Sequence, residues 1–161
     1  MSWRGRVLIY NGNEALGKKI LQQCISFDPD QKEAARALKA LKVSSAKKDE
    51  ASEAFKGGKL EEAIKLFDEC IALDSLNLNY NATLLLNKSI AQSRLKLNDE
   101  ALVSLNQCIK MNPNYAKALV KRGEVNAANE EWDDAVRDFA SAKALTDEFQ
   151  VESKLKNAQA Q

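Results

Sequence analysis

The stretch that decides the fold is residues 98–142, NDEALVSLNQCIKMNPNYAKALVKRGEVNAANEEWDDAVRDFASA. It carries Ala-x3-Leu-x2-Cys at 101–108 and Ala-x3-Phe-x2-Ala at 135–142, 34 residues later. A third copy, Ala-x3-Phe-x2-Cys at 63–70, lies 38 residues before the first of these. Spacings of four and three residues place all three slots on one face of a helix. The pattern therefore predicts a helix that recurs in register along the chain.

A second recurring slot predicts that each of these helices has a partner. Twelve residues before the leading alanines stand small residues, Ala51, Ser89 and Gly123. Small residues at matched places on two successive helices allow their backbones to approach closely. A fainter copy of the whole pattern comprises Gly5, Gly17, Leu21 and Cys24. We expect a helical repeat array, an architecture whose extended surface commonly binds other proteins.

Composition excludes several function classes. The chain has 161 residues, of which 45% are apolar and 29% charged, with 2 Pro and 6 Gly, a mixture that suits amphipathic helices. The net charge is +1, so no overall basic field recruits nucleic acid. No apolar run is long enough to span a bilayer, and no apolar segment near the N-terminus predicts a secretory signal. We expect neither a nucleic-acid partner nor a membrane.

The cysteines and the missing histidine bear on compartment and chemistry. The chain has three cysteines, and Cys24, Cys70 and Cys108 all occupy the same slot of the repeat. An odd number does not suit a closed disulfide framework, and a shared slot predicts small buried apolar side chains. Without histidine the chain lacks the commonest general base and metal ligand. We expect a cytoplasmic or nuclear protein that is not an enzyme and needs no cofactor or metal.

The repeat interval identifies a family resemblance. A 34-residue helix–turn–helix unit is the length of the tetratricopeptide repeat, and residues 47–148 resemble three consecutive copies of it. The fold class predicted from this resemblance is an all-α tetratricopeptide helix–turn–helix solenoid with a C-terminal capping helix. The expected organisation is a partial or diverged repeat at 1–29, a connecting helix at 30–46, repeats at 47–80, 81–114 and 115–148, and the capping helix at 149–161.

One motif offers a rival, catalytic interpretation. Gly12-x4-Gly17-Lys18-Lys19 follows a short apolar run and nearly spells a phosphate-binding loop. That loop needs Ser or Thr after its lysine to hold magnesium, and Lys19 occupies the place. We therefore interpret the segment as a repeat turn, with a nucleotide site as the weaker alternative.

Basic and amide side chains fall on the first helices of the repeats. Lys48 and Ser52 are four residues apart, as are Lys117 and Lys121, so each pair shares a helix face. Asn87 occupies the intervening repeat. Three ammonium groups and an amide are suited to a carboxylate, and best to a peptide terminus that carries two carboxylates.

These five residues resemble the carboxylate clamp of chaperone-binding tetratricopeptide domains. Residues 37–42, 47–58, 81–87, 135–138 and 155–159 resemble the second such domain of a J-domain co-chaperone. The resemblance implies binding to the acidic C-terminal tail of the 70-kDa heat-shock chaperone, the 90-kDa chaperone or both. Ser52 stands where the family has Asn, and Lys121 where it has Arg. The J domain is expected to be absent, because its His-Pro-Asp loop needs a histidine. The alternative function is a general interaction scaffold with another partner.

Overall fold

A computed structural model describes residues 4–5, 7, 14–30, 32–73, 77–146 and 149–161. Within these ranges the chain forms helices and turns and no strand, which confirms the predicted all-α class. The helices with assigned bounds are α1 (Glu14–Phe27), α2 (Lys32–Lys56), α3 (Leu60–Leu73), α4 (Leu78–Arg94), α5 (Asn98–Met111), α6 (Ala116–Ala128), α7 (Trp132–Leu145) and α8 (Phe149–Gln159). None of the described helices is long and apolar enough to cross a membrane.

The chain divides into two compact units, residues 1–84 and 85–161, with the boundary inside α4. In the first unit α1 packs on α2 through Leu21, Cys24 and Ala34, all buried. Gly5 is buried beside Leu21, and a Cβ added to it would lie 2.9 Å from the Leu21 Cγ atom. This close approach explains why the faint copy of the repeat pattern begins with glycine.

Helix α2 is long because nothing in its sequence interrupts it. It runs for 25 residues without Gly or Pro, so the segment expected at 30–46 continues into the first helix of the next repeat. Its C-terminal half packs on α3, and Ala51, Ala63 and Phe67 lie in one buried cluster. Ala51 and Ala63 are fully buried, as the small slot and the leading-alanine slot predict.

The second unit holds the remainder of α4 and helices α5 to α8. Helix α7 packs on α6 where Gly123 faces Phe139, and a Cβ on Gly123 would come within 2.7 Å of the Phe139 ring. Helix α8 packs on α7 and buries Val151 and Ala158. The small slot is therefore a point of close helix contact, and α8 covers apolar surface of α7.

Three helix-to-helix turns share one backbone conformation. Gly58, Lys96 and Glu130 have φ values of 79°, 65° and 63°, in the left-handed region, and they are separated by the repeat intervals. In each turn the next N–H donates a hydrogen bond to the carbonyl five residues earlier, at 2.9 to 3.0 Å. This hydrogen bond ends a helix in the Schellman manner, which favours glycine at the left-handed position. Only the first turn has glycine at this position, so Lys96 and Glu130 adopt a left-handed conformation that is strained for residues with a side chain.

The shared cysteine slot is buried, as predicted. Cys24, Cys70 and Cys108 are free thiols with at most 4% of their surface exposed. Burial is the main cause that raises the pKa of Cys70, and it raises the pKa of Cys108 to about 11. Cys70 and Cys108 therefore stay protonated at neutral pH, and all three cysteines serve as small apolar core residues.

Candidate functional site

The first unit presents two of the predicted clamp residues on α2. Lys48 and Ser52 are both half-buried and lie one helical turn apart. The Lys48 ammonium stands 5.1 Å from the centroid of the Tyr80 ring, a cation–π distance. The Ser52 hydroxyl donates a 2.8 Å hydrogen bond to the Lys48 carbonyl oxygen. The only hydroxyl hydrogen of Ser52 is therefore already donated to its own helix, so Ser52 is a weaker hydrogen-bond donor to a ligand than an asparagine would be.

The second unit brings two further predicted residues to one cavity. Lys117 and Lys121 of α6 both line a cavity of about 220 Å³. Its floor is largely apolar, with Leu86 and Ile90 of α4 and Val120 of α6. Lys117 is exposed, whereas only 22% of the Lys121 side chain is exposed. An exposed lysine beside a partly buried lysine, over an apolar floor, suits a ligand that carries two carboxylates and an aliphatic side chain.

Asn87 belongs to the same unit but does not line this cavity. It is half-buried on α4, directly after the cavity residue Leu86. The structure thus places Lys48 with Ser52, and Lys117 with Lys121. The grouping of all five residues into one site stays a prediction.

Sequence reasoning missed the acid beside Lys121. Glu124 lines the same cavity, and its Oε2 atom lies 3.3 Å from the Lys121 ammonium. Its other oxygen, Oε1, accepts a 2.5 Å hydrogen bond from Lys154 of α8. Burial opposes the ionisation of Glu124, but the Lys154 and Lys121 ammonium groups outweigh it and lower the carboxyl pKa. The i, i+3 spacing of Lys121 and Glu124 was a readable signal, whereas nothing in the sequence pointed to Lys154.

A buried ion pair fixes α6, the helix that carries both cavity lysines, against α7. Asp138 is 4% exposed and accepts hydrogen bonds from Arg122 Nε at 2.9 Å and Arg122 Nη2 at 2.6 Å. Asn126 Nδ2 donates a third hydrogen bond to Asp138 at 3.2 Å, and Arg122 Nη1 also reaches Asn106 at 2.7 Å. In the preceding repeat, Gln92 and Ser104 occupy the positions of Asn126 and Asp138, and the Ser104 hydroxyl donates a 2.8 Å hydrogen bond to the Gln92 side-chain oxygen. The three hydrogen bonds to Asp138 hold α6 in one rotation against α7 and so fix the helix face that carries Lys117 and Lys121.

A second, larger cavity surrounds this network. It measures about 410 Å³ and is lined by polar residues that include Arg122, Asp138, Asp134 and Arg137. The charged groups are paired with one another, Arg122 with Asp138 and Arg137 with Asp134 at 2.8 Å. A ligand carboxylate has to compete there with two internal acids, whereas the 220 Å³ cavity contains one acid, Glu124, and has the exposed Lys117 as well as Lys121, which makes it the better anion site.

The segment that resembles a phosphate-binding loop has helical geometry where it is described. Gly12 lies outside the described residues, while Gly17, Lys18 and Lys19 lie inside α1, which begins at Glu14. In a phosphate loop the second glycine and the lysine open the helix, where backbone N–H groups are free for the ligand, whereas α1 already begins three residues before Gly17. The predicted repeat turn is also wrong for Gly17 to Lys19, because these residues form part of helix α1.

Comparison with protein families finds the tetratricopeptide repeat at residues 82–115. The chain is 32% identical over 145 residues to the DnaJ homolog subfamily C member 7 homolog of Dictyostelium discoideum. It is 29% identical over 156 residues to DnaJ homolog subfamily C member 7 of Homo sapiens. These matches cover 90% and 97% of the chain, but the chain spans only 27% and 32% of the two relatives.

Solved structures share the fold. The match to the TPR domain of P58(IPK) covers 97% of this chain and 44% of the P58(IPK) chain, with a TM-score of 0.79 and 20% sequence identity. The first TPR of Spaghetti (RPAP3), solved with the HSP90 peptide SRMEEVD, matches 73% of this chain and 90% of its own, with a TM-score of 0.66 and 26% identity. The second TPR domain of human RPAP3, solved with the HSP70 peptide SGPTIEEVD, matches 72% and 94%, with a TM-score of 0.65 and 27% identity.

Proposed function

We propose that this tetratricopeptide-repeat chain, which is homologous to the repeat regions of DnaJ-type proteins, is a co-chaperone docking module that binds acidic C-terminal tails of 70-kDa or 90-kDa heat-shock chaperones. Tetratricopeptide repeats are protein-interaction modules, and two similar repeat domains are solved with chaperone peptides that end in EEVD or MEEVD. The proposal includes a non-catalytic role in the cytoplasm or nucleus.

The observation that carries the proposal is the cavity shared by Lys117 and Lys121. Two lysines one helical turn apart suit a terminal aspartate, which offers an α-carboxylate and a side-chain carboxylate. Lys117, the more exposed of the two, meets the terminal charges, and Lys121 meets the side chain or an upstream acid. Lys48 and Asn87 add a further charge and an amide donor, with Ser52 at the remaining clamp position.

The test is a titration of the chain with a labelled peptide ending in EEVD, in free-acid and C-terminally amidated forms. A charge-assisted hydrogen bond contributes about 1.5–3 kcal/mol, so Lys117→Ala should weaken binding of the free acid by roughly ten- to a hundredfold. Lys48→Ala should weaken it as well. The matched control is Lys110→Ala, which removes the same charge from the exposed last turn of α5. Equal affinity for the acid and the amide would overturn the clamp and favour a general scaffold.

A gain-of-function variant tests the weakest predicted contact. The Ser52 hydroxyl is tied to the Lys48 carbonyl, so Ser52→Asn should supply a side-chain donor to the ligand and tighten binding. The wild-type dissociation constant should be about micromolar or weaker. Rising salt should weaken binding further, because the lysine-lined cavity is open to water. A Ser52→Asn variant that binds no tighter than wild type would remove Ser52 from the site.

A further inference from the structure

One carboxylate in the second unit holds two ammonium groups that come from different helices. Glu124 sits on α6 with about one third of its side chain exposed. It meets Lys121, from its own helix, through Oε2 and Lys154, from α8, through Oε1. Lys121 is a proposed ligand contact, whereas Lys154 belongs to the helix that covers α7.

The two contacts differ in strength. The Lys154 ammonium is 2.5 Å from its oxygen, and the Lys121 ammonium is 3.3 Å from the other. At 3.3 Å the Lys121 contact is longer than the roughly 2.7–2.9 Å of a strong charge-assisted hydrogen bond, so Lys121 is the partner that leaves Glu124 more readily. Lys121 also lines the cavity together with the open Lys117, which places it beside the expected position of a ligand acid.

An acid inside an anion site acts as an internal competitor. Without Lys154, the Glu124 carboxylate stays paired with the Lys121 ammonium and repels the carboxylate of a ligand. With Lys154 in place, Glu124 stays neutralised after Lys121 turns to the ligand. Burial makes this compensation necessary, since an unpaired carboxylate in a partly sheltered position is costly.

We propose that Lys154 of α8 is a positioning residue that sets the affinity of the 220 Å³ cavity for acidic ligands. It does so by its hydrogen bond to Glu124, which leaves Lys121 available to the ligand. The inference rests on the proposed function and adds to it that α8, the helix that packs on α7, takes part in ligand selection. Lys154 acts only through Glu124, so its effect must vanish when the Glu124 charge is removed.

The experiment is a double-mutant cycle on binding of the free-acid EEVD peptide, with Lys154→Gln, Glu124→Gln and the double variant in the full chain. A partly exposed charge contact is worth about 0.2–1 kcal/mol, so Lys154→Gln should weaken binding roughly two- to fivefold and Glu124→Gln should tighten it by a similar factor. In the Glu124→Gln background, Lys154→Gln should leave the affinity unchanged, and Lys154→Arg should retain wild-type affinity.

The matched control is Lys156→Gln. Lys156 lies on the same helix, carries the same charge and pairs with Glu152 at 3.1 Å, so its loss should leave the affinity unchanged. Thermal unfolding of every variant, together with the sign of the Glu124→Gln effect, separates lost helix packing from lost ligand selection, because loss of a purely structural contact would make Glu124→Gln weaken binding instead of tightening it. Equal weakening by Lys154→Gln with and without the Glu124 charge would overturn the inference alone. Failure of wild type to prefer the free acid over the amide would overturn the proposed function and the inference together.

Discussion

The buried Arg122–Asp138 pair gives the sharpest stability prediction, with Asp138→Ala as the perturbation. Asp138 is 4% exposed and accepts three hydrogen bonds, two from Arg122 and one from Asn126. Its removal leaves the guanidinium of Arg122 without its counter-ion, while only 27% of that side chain is exposed. Breaking one side of a buried pair costs about 3–5 kcal/mol, and partial access to water puts this case near 3 kcal/mol.

The chain offers a matched control one helical turn away. Asp134 lies on the same helix α7 and pairs with Arg137 at 2.8 Å, but these side chains are 52% and 75% exposed. Asp134→Ala should therefore cost less than about 0.5 kcal/mol, as exposed pairs do. The difference of roughly 2.5 kcal/mol corresponds to about 5–10 °C in melting temperature for a chain of this size.

The assay is urea and thermal unfolding followed by circular dichroism, with Arg122→Met as the second arm of a cycle. If the cost of Asp138→Ala comes from an orphaned guanidinium, Arg122→Met should destabilise the Asp138→Ala variant far less than it destabilises wild type. The reasoning is refuted if Asp138→Ala costs no more than Asp134→Ala. It is also refuted if the two arms of the cycle are additive.

Four further outcomes follow from the packing and the turns. Lys96→Gly should raise stability by about 0.5–1 kcal/mol, because glycine relieves the left-handed strain at φ 65°. Gly58→Ala should lower stability by about 1 kcal/mol from backbone strain alone, since its Cβ would meet nothing within 4 Å; urea unfolding that shows no change of either sign would contradict this account. Cys108 should react slowly with a thiol reagent at pH 8 and fast after unfolding, because its pKa is raised to about 11; fast reaction of the native chain would show an open core. Deletion of 148–161 should cost at least about 2 kcal/mol in thermal unfolding, because Val151 is buried and α8 covers α7; an unchanged melting temperature would mean that α8 does not stabilise the chain.

Periodicity alone determined the helical class and the core positions. The leading alanines, the small slot and the cysteine slot are buried where the pattern predicts, because a side chain's face on a helix is fixed by its spacing in the sequence. Acidic first turns at Glu61, Asp99 and Asp133 likewise mark the starts of α3, α5 and α7. Local spacing also showed that Lys117 and Lys121 share a face.

The tertiary structure decided what those lysines meet. Lys154 is 30 residues from Glu124 in sequence, and Asp138 is 16 residues from Arg122, so neither partner follows from a helical period. Such pairs exist only once α6 has packed against α7 and α8, because the contact depends on the rotation of each helix as well as on its own pattern. The sequence therefore determined which helix faces carry the candidate site, and packing between the helices decided which charges remain available to a ligand.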